Sequence, residues 1–342
     1  MQTTEKINQS AIASFQLQIA ILSSAIERRY RRIDFLIFLP AIECIASLLE
    51  NLGTTIREYA QVDSLNPEHI EHLYNEGFSF SQIALWVKQG LRSLTQEQAE
   101  QAGFKVKNKD GVYVSGEGLY FPFTREFGQL RLDAPIERKN GSIAKYLTPL
   151  GAKTKARIPS GCKVVTEGAK DAVAGSLRGG IPTGAIAGIS HYRKALKQDA
   201  GYTVLFDADG WINPAVFSNL FHAGKWLNGK VQLIPEIKGY PKAGLCEYFK
   251  VGNTTEDYQK LVDSAKKPEA LLLQWGNHFG RIPEAKLSQS VRIALRLAAE
   301  YLDDIEQDVL VSHIKTACDK VSGKTLTKEL KRQKAIVEAR LL

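Results

Sequence analysis

Val164-Val165-Thr166-Glu167-Gly168-Ala169-Lys170-Asp171-Ala172 and Thr203-Val204-Leu205-Phe206-Asp207-Ala208-Asp209-Gly210 are the stretches on which the fold turns. Each is a run of β-forming residues that ends in carboxylates beside a glycine, and Glu167 and Asp207 stand forty residues apart. A buried strand that ends in acid places that acid at the carboxyl edge of a sheet, the edge at which open α/β sheets bind ligands. Asp207 and Asp209 are alternate residues, so both can point the same way at a strand end. Gly168 and Gly210 permit tight turns and close approach of a ligand to the backbone. Carboxylates gathered there are hard oxygen donors of the kind that hold a divalent cation such as Mg²⁺ and, through it, a phosphate.

Strands and helices alternate around these stretches from Gly161 to about Val251. The sequence predicts strands at 163–166, 184–189, 202–206 and 231–234, with helices at 170–178, 192–198 and 213–227. This alternation implies an α/β fold, a mostly parallel sheet with helices on both faces. Before it, Asn108-Lys109-Asp110-Gly111 is turn chemistry, and the hydrophobic period then switches to two. Gly118-Leu119-Tyr120-Phe121-Pro122-Phe123 and Gln129-Leu130-Arg131-Leu132, joined by a turn at Arg125-Glu126-Phe127-Gly128, read as a β-hairpin. A polar loop with Arg138-Lys139-Asn140-Gly141 follows, and then Lys145-Tyr146-Leu147-Thr148-Pro149.

Residues 1–105 read as helical, with apolar residues at three- and four-residue spacing over 11–30 and 42–52. Asn66-Pro67-Glu68 is a helix start, with Asn as cap and Pro in the first turn. Ser79-Phe80-Ser81-Gln82-Ile83-Ala84 opens a second helix after Gly77, and Leu94-Thr95-Gln96-Glu97-Gln98 a third. Residues 66–90 therefore have the outline of a helix-turn-helix; a helical hairpin that packs and reads nothing fits the same pattern. Beyond Thr254 the chain is helical again, amphipathic at 287–302, acidic at 303–308 and basic at 315–340. The organisation expected is a helical N-terminal region (1–105), a basic β-hairpin subdomain (106–160), the α/β domain (161–253) and a helical C-terminal region with a basic tail (254–342).

Composition narrows the partners. The chain has 342 residues, 44% hydrophobic and 24% charged, as in soluble globular proteins. Formal net charge is +8, unevenly spread. Residues 104–163 carry twelve Lys/Arg against five Asp/Glu, and 311–342 carry eight against three. Such local excess points to a polyanion partner, a solvated basic face being the alternative. The most apolar stretch, 33–49, contains Asp34, Pro40 and Glu43, interruptions that argue against a membrane span. The four cysteines, Cys44, Cys162, Cys246 and Cys318, have no C-x-x-C spacing, which argues against a zinc ribbon or a disulfide framework. With no secretory signal, a reducing cytoplasm is the expected compartment. Ser322-Gly323-Lys324-Thr325 imitates the end of a P-loop, but position 318 is Cys rather than Gly and no strand leads into it. His191 invites an acid–base role, with a loop histidine that makes one hydrogen bond as the blander reading; Trp211, directly after Asp209-Gly210, reads like the other tryptophans as core or rim, with base stacking as the alternative.

The two acidic stretches resemble the signatures of the Toprim fold, found in bacterial-type primases, type IA and II topoisomerases and certain nucleases: Glu167-Gly168 on a first strand and Asp207-x-Asp209 on a third. Upstream, Tyr120-Phe121-Pro122-Phe123, Gly128-Gln129-Leu130-Arg131 and Lys145-Tyr146-Leu147-Thr148-Pro149 resemble, in order and spacing, the basic subdomain that precedes Toprim in bacterial-type primases. Ile234-Pro235 and Lys242-Ala243-Gly244-Leu245-Cys246-Glu247-Tyr248-Phe249 resemble the segment that closes that domain. The resemblance covers about 115–252 and is nearest to primase-type Toprim proteins of plasmids, phages and other mobile elements.

The resemblance implies a Toprim-like α/β fold in which Glu167, Asp207 and Asp209 are catalytic and hold Mg²⁺ or Mn²⁺, with Asp171, a further acidic position of the first motif, as a fourth metal-holding residue. Arg131 and Lys145 match basic positions facing template or incoming nucleotide. Arg125, Lys170 and Lys242 join them by charge and location. The implied activity is that of a primase-type nucleotidyltransferase that synthesises primers on single-stranded DNA from nucleoside triphosphates, in replication of a mobile element. A separate replicative helicase would be its partner, and no membrane is involved. Three departures bear on this: no zinc-binding module precedes the core, no Walker-type helicase is present, and Cys246-Glu247 stands where primases carry an acidic pair. A Toprim nuclease, in which the same metal activates water, and a non-catalytic DNA-binding replication accessory protein remain the alternatives.

Overall fold

The computed structural model describes residues 64–341. Two compact units divide between Ser93 and Leu94. The expected helices at 11–30 and 42–52, and the apolar stretch 33–49, lie outside the described residues.

In the first unit, α1 (Pro67–Asn75) and α2 (Phe80–Lys88) are joined through Gly77, whose φ of 90° favours glycine. Asn66 has the extended backbone of an N-cap but makes no side-chain cap; its N–H donates instead to Ser93 Oγ at 2.7 Å. Ser79 and Gln82 form a reciprocal capping box at the start of α2. Leu73, Phe78, Ile83 and Trp86 are fully buried. In the expected helix-turn-helix, Gln82 is thus occupied with its own helix end, while Ile83 and Ala84 face the core.

The second unit opens with β1 (Arg92–Leu94), which spans the division, and α3 (Gln96–Gln101), capped by Thr95 and Gln98. A small hairpin, β2 (Val106–Lys107) and β3 (Tyr113–Val114), turns on Asn108, whose Oδ1 accepts from the N–H groups of Asp110 and Val112 at 3.0 Å each. Then β4 (Gly118–Pro122), β5 (Gly128–Glu137) and β6 (Ile143–Leu147) pair antiparallel. The hairpin is as expected, but β5 runs on to Glu137 through a shift of register between Arg131 and Ile136. Pro135, which has no N–H to give a ladder, falls inside that irregularity. One sheet face buries Leu130, Leu132, Ala144 and Leu147 with Ala99 and Phe104.

The parallel sheet follows: β7 (Val164–Thr166), α4 (Ala169–Leu177), β8 (Thr183–Ala185), α5 (Tyr192–Ala195), β9 (Thr203–Phe206), a 3₁₀ turn (Ala208–Trp211), α6 (Pro214–Leu227) and β10 (Val231–Leu233). Strand order is β10-β9-β7-β8, all parallel. The fold is therefore α/β, as expected, with helices flanking the sheet and a separate antiparallel sheet before it. Continuous apolar runs such as Val204-Leu205-Phe206 suit strands covered on both faces. β8 stops at Ala185, short of the expected 189, because Ala187 and Gly188 take positive φ values of 58° and 117°. α5 stops at Ala195 because Leu196 is extended.

The remaining helices are α7 (Leu245–Lys250), α8 (Thr255–Asp263), α9 (Pro268–Gly276), α10 (Glu284–Tyr301), α11 (Asp304–Ala317) and α12 (Gly323–Leu341). α9 to α12 share one core with the sheet and α6, including the stacked pair Phe217 and Trp275, 4.0 Å between ring centroids. Trp211 belongs to this core and is 6% exposed. Its Nε1 donates to the Ile234 carbonyl at 3.2 Å, its own carbonyl accepts from Trp275 Nε1 at 3.0 Å, and its ring stacks on His278. The core reading of Trp211 therefore holds over the base-stacking one: the 3₁₀ turn swings the indole inward. Ser322 caps α12 by accepting from Thr325 N–H at 3.2 Å, a local helix start and not a phosphate loop. Among the described residues, no helix is long and apolar enough to cross a membrane.

Candidate active site

β7 and β9 lie side by side, with Val164 opposite Thr203 and Val165 opposite Val204. Their carboxyl ends therefore deliver Glu167 and Asp207 from neighbouring strands to one edge. Beyond Asp207, the 3₁₀ turn tucks Asp209 inward, 9% exposed, where Asn213 Nδ2 donates to its Oδ2 at 3.4 Å. This turn packs so closely on β10 that a Cβ at Gly210 would meet Leu233 Cδ2 at 2.3 Å.

Asp171, in the first turn of α4, is held differently. Its Oδ1 accepts from Cys246 N–H at 3.1 Å, at the start of α7. A Cβ at Gly244 would stand 2.5 Å from the same oxygen, so glycine there lets α7 approach the carboxylate. Glu247 turns back to accept from Gly244 N–H at 2.8 Å. Asp171 is thus a carboxylate at a helix N-terminus, the favourable end of the helix dipole for an anion.

Charge is concentrated at this edge without a matching number of cations. Glu167 titrates at about 7, raised first by burial and then by Asp171 and Asp209, with Lys242 pulling the other way. Asp207 is pushed well above the ordinary carboxylate range, again by burial and then by Asp171, Glu167, Asp209 and Glu247. Burial also raises Asp171, against the pull of Lys170 and the Cys246 N–H. Carboxylates that repel one another where water is scarce have the donor chemistry of a site for a hard divalent cation. Among the described residues, however, no three acidic, histidine or cysteine side chains close around a single point.

These acids form one wall of a cleft of 630 Å³. Glu167, Lys170, Asp171 and Asp207 line that wall, together with the loop after β8. In this loop Ala187, a non-glycine residue with φ of 58°, and Gly188 hold a sparsely populated backbone. Gly188 N–H donates to the Glu167 carbonyl at 3.1 Å. The Ala187 carbonyl receives the His191 Nδ1 proton at 3.0 Å, which leaves Nε2 as the acceptor in neutral imidazole. The opposite wall comes from the antiparallel sheet and its loops and includes Lys105, Phe121, Gln129, Arg138 and Tyr146.

A larger cavity of 970 Å³ lies at the other edge of the parallel sheet, lined by Lys163, Tyr202 and Lys230 among others. Its acids are Asp263 and Glu269, and Glu269 is paired with Lys225 at 2.6 Å. Size favours that cavity, but clustered chemistry favours the cleft, and the cleft is the candidate site.

No family model matches the chain, and no curated protein matches it. Among solved structures, it is similar to the zinc-binding and RNA polymerase domains of Aquifex aeolicus primase (15% identity, 76% of this chain and 69% of that one, TM-score 0.43). It is also similar to the RNA polymerase domain of Mycobacterium tuberculosis primase DnaG (16% identity, 72% and 90% covered, TM-score 0.44) and to the E. coli primase catalytic core (13%, 78% and 90%, 0.41). Likeness at these scores assigns neither activity nor partner to this chain.

The residues expected from sequence divide into two groups. Glu167, Asp171, Asp207 and Lys170 line the cleft. Asp209 and Lys242 do not line it but act electrostatically on Glu167. Arg131, half-buried on β5 between Leu119 and Tyr146, lies off the cleft wall, as do exposed Lys145 on β6 and exposed Arg125 in the β4–β5 turn. Sequence reading missed Lys105, Gln129, Arg138 and Tyr146 as wall residues. The signal for Gln129 was parity: it alternates with core Leu130 and so faces the other way.

Proposed function

We propose that the chain is a primase-type, metal-dependent nucleotidyltransferase that extends ribonucleotides on single-stranded DNA, in replication of a mobile element and beside a separate helicase. The observation that carries the reading is the convergence of Glu167 and Asp207 from adjacent parallel strands onto a cleft whose other wall is basic and aromatic. Glu167, Asp207 and Asp209 would hold Mg²⁺ or Mn²⁺, which when bound supplies neutralising charge for a triphosphate and lowers the pKa of an attacking hydroxyl. Lys105, Lys170 and Arg138 offer positive charge to template or triphosphate phosphates. Tyr146, 41% exposed, offers a stacking face. Lys242 moderates the repulsion at Glu167. His191 Nε2, its tautomer fixed by the Ala187 carbonyl, offers an acceptor for a substrate hydroxyl. Asp171 aligns α7 against the acidic edge.

Among the described residues no three acidic, histidine or cysteine side chains close around a single point, which favours a second reading, a non-catalytic DNA-binding accessory protein. One experiment separates the two. Purified chain is incubated with labelled single-stranded DNA, all four ribonucleotides and Mg²⁺ or Mn²⁺, and the products are resolved on one gel. Extended products that vanish with Glu167→Gln support the transferase. Shortened strands alone would replace it with a nuclease, and DNA binding without metal binding or products would replace it with the accessory reading.

A further inference from the structure

α12 places Lys324, Lys328 and Lys331 at i, i+4 and i+7, one row on a helix face. Leu326, Leu330 and Gln333 are buried on the other side, and the three lysines are exposed. The row spans about 10.5 Å at a rise of about 1.5 Å per residue. A fourth ammonium joins it: the Lys315 side chain, from α11, lies over Gly323, its Nζ 4.0 Å from where a Cβ would be. Lys315 thus brings positive charge to the N-terminus of a 19-residue helix, the end at which the dipole already favours an anion.

Three neighbouring bases are matched. Lys334 pairs with Asp304 at 2.7 Å, Lys320 with Glu284 at 3.0 Å and Arg332 with Glu329 at 3.1 Å. Lys315, Lys324, Lys328 and Lys331 form no ion pair with any described residue. The acids nearest in sequence to the row are exposed Asp319 before it, Glu329, tied to Arg332 and Gln333, and Glu338, two turns beyond Lys331. The fold therefore neutralises the flanks of this surface and leaves its centre positive.

We propose that this face of α12, with Lys315, is a second nucleic-acid contact, remote in sequence from the cleft, that grips a sugar–phosphate backbone without reading bases. Phosphates recur about every 3.4 Å along one strand of a duplex, so three fall within the length of the row. Lysines act there as point charges on flexible stems, suited to a backbone and not to base edges.

The test is fluorescence anisotropy of the full chain with a labelled single strand, repeated across a salt series. The variant is Lys324→Gln/Lys328→Gln/Lys331→Gln, with a triple Lys→Arg variant as charge-preserving control. The log–log salt slope is expected to fall by about two, at roughly 0.7 per lost phosphate contact, and the arginine variant to keep it. Thermal midpoints should match the wild type, because the three side chains are exposed. An unchanged slope in a folded glutamine variant overturns the proposal. Loss of binding to phosphatidylserine vesicles with DNA binding intact overturns it too, in favour of a lipid surface. Because the readout is binding alone, the outcome is independent of whether the chain makes primers.

Discussion

The two edges of the parallel sheet treat charge in opposite ways. At the amino-terminal edge Lys225 meets Glu269 at 2.6 Å, and the remaining lysines stand in a broad, open cavity. At the carboxyl edge Glu167, Asp171, Asp207 and Asp209 are gathered, and burial pushes three of them upward in pKa, Glu167 and Asp207 also by neighbouring carboxylates of the set. Matched charges serve a structure; mutually repelling ones are tolerated only where the surroundings hold them in place for another purpose. The difference marks the carboxyl edge as functional although the larger cavity is at the other end.

The sharpest way to break this comparison is to neutralise one acid. Asp207→Asn or Glu167→Gln should lower primer synthesis on the order of a thousandfold, the scale at which removal of a preorganised charge is felt. Lys163→Gln at the other edge should leave the rate unchanged. The same acid-edge variants should raise the thermal midpoint of the metal-free chain by a few degrees, because repulsion is relieved. Equal effects at both edges, read by initial rates and calorimetry, would dissolve the contrast.

A second test uses pH. Glu167 titrates in the folded chain at about 7 instead of 4.5. A carboxyl with a raised folded pKa stabilises the fold in full below 4.5, and that contribution is lost as pH rises through 7. Metal-free protein should therefore lose thermal stability across this window, with Asp207 acting in the same direction, and Mn²⁺ should restore it at neutral pH. A flat profile, or one that rises with pH, contradicts the assignment.

Gly244→Ala sharpens the role of Asp171. The added methyl would stand 2.5 Å from Asp171 Oδ1, which should cost about 1–3 kcal/mol in chemical denaturation. On the facing wall, Tyr146→Ala should weaken template binding by about 1–3 kcal/mol, the worth of one base on an aromatic face. Lys145→Gln, on the neighbouring exposed position, should change binding less.

Much of the acidic edge was legible, because a carboxylate after a run such as Val204-Leu205-Phe206 has few places to be but a strand end. Glu167 and Asp207 follow from that rule, and their adjacency from strand pairing. The basic wall was harder for a geometric reason. The register shift breaks the alternation in β6, where Lys145 and Tyr146 are both exposed between buried Ala144 and Leu147, and it is the tyrosine that lines the cleft. The register shift after Arg131 then carries β5 past the expected end, so that Arg138 supplies the charge expected of Arg131. For Trp211 both packing and stacking were open in the sequence, and a 3₁₀ turn, which no periodicity announces, decides for the core. The Asp171–Cys246 bond spans 75 residues, and no local pattern encodes such a contact.

That bond also imposes an order of assembly. A chain made from its amino end carries Glu167, Asp171, Asp207 and Asp209 well before Cys246 is added. Until α7 docks, Asp171 lacks the N–H that anchors it, and the acids face one another without that restraint. The edge is therefore completed by the last segment of its own domain, and ribosome-bound fragments that stop short of Gly244 should contain the strands but not a finished site.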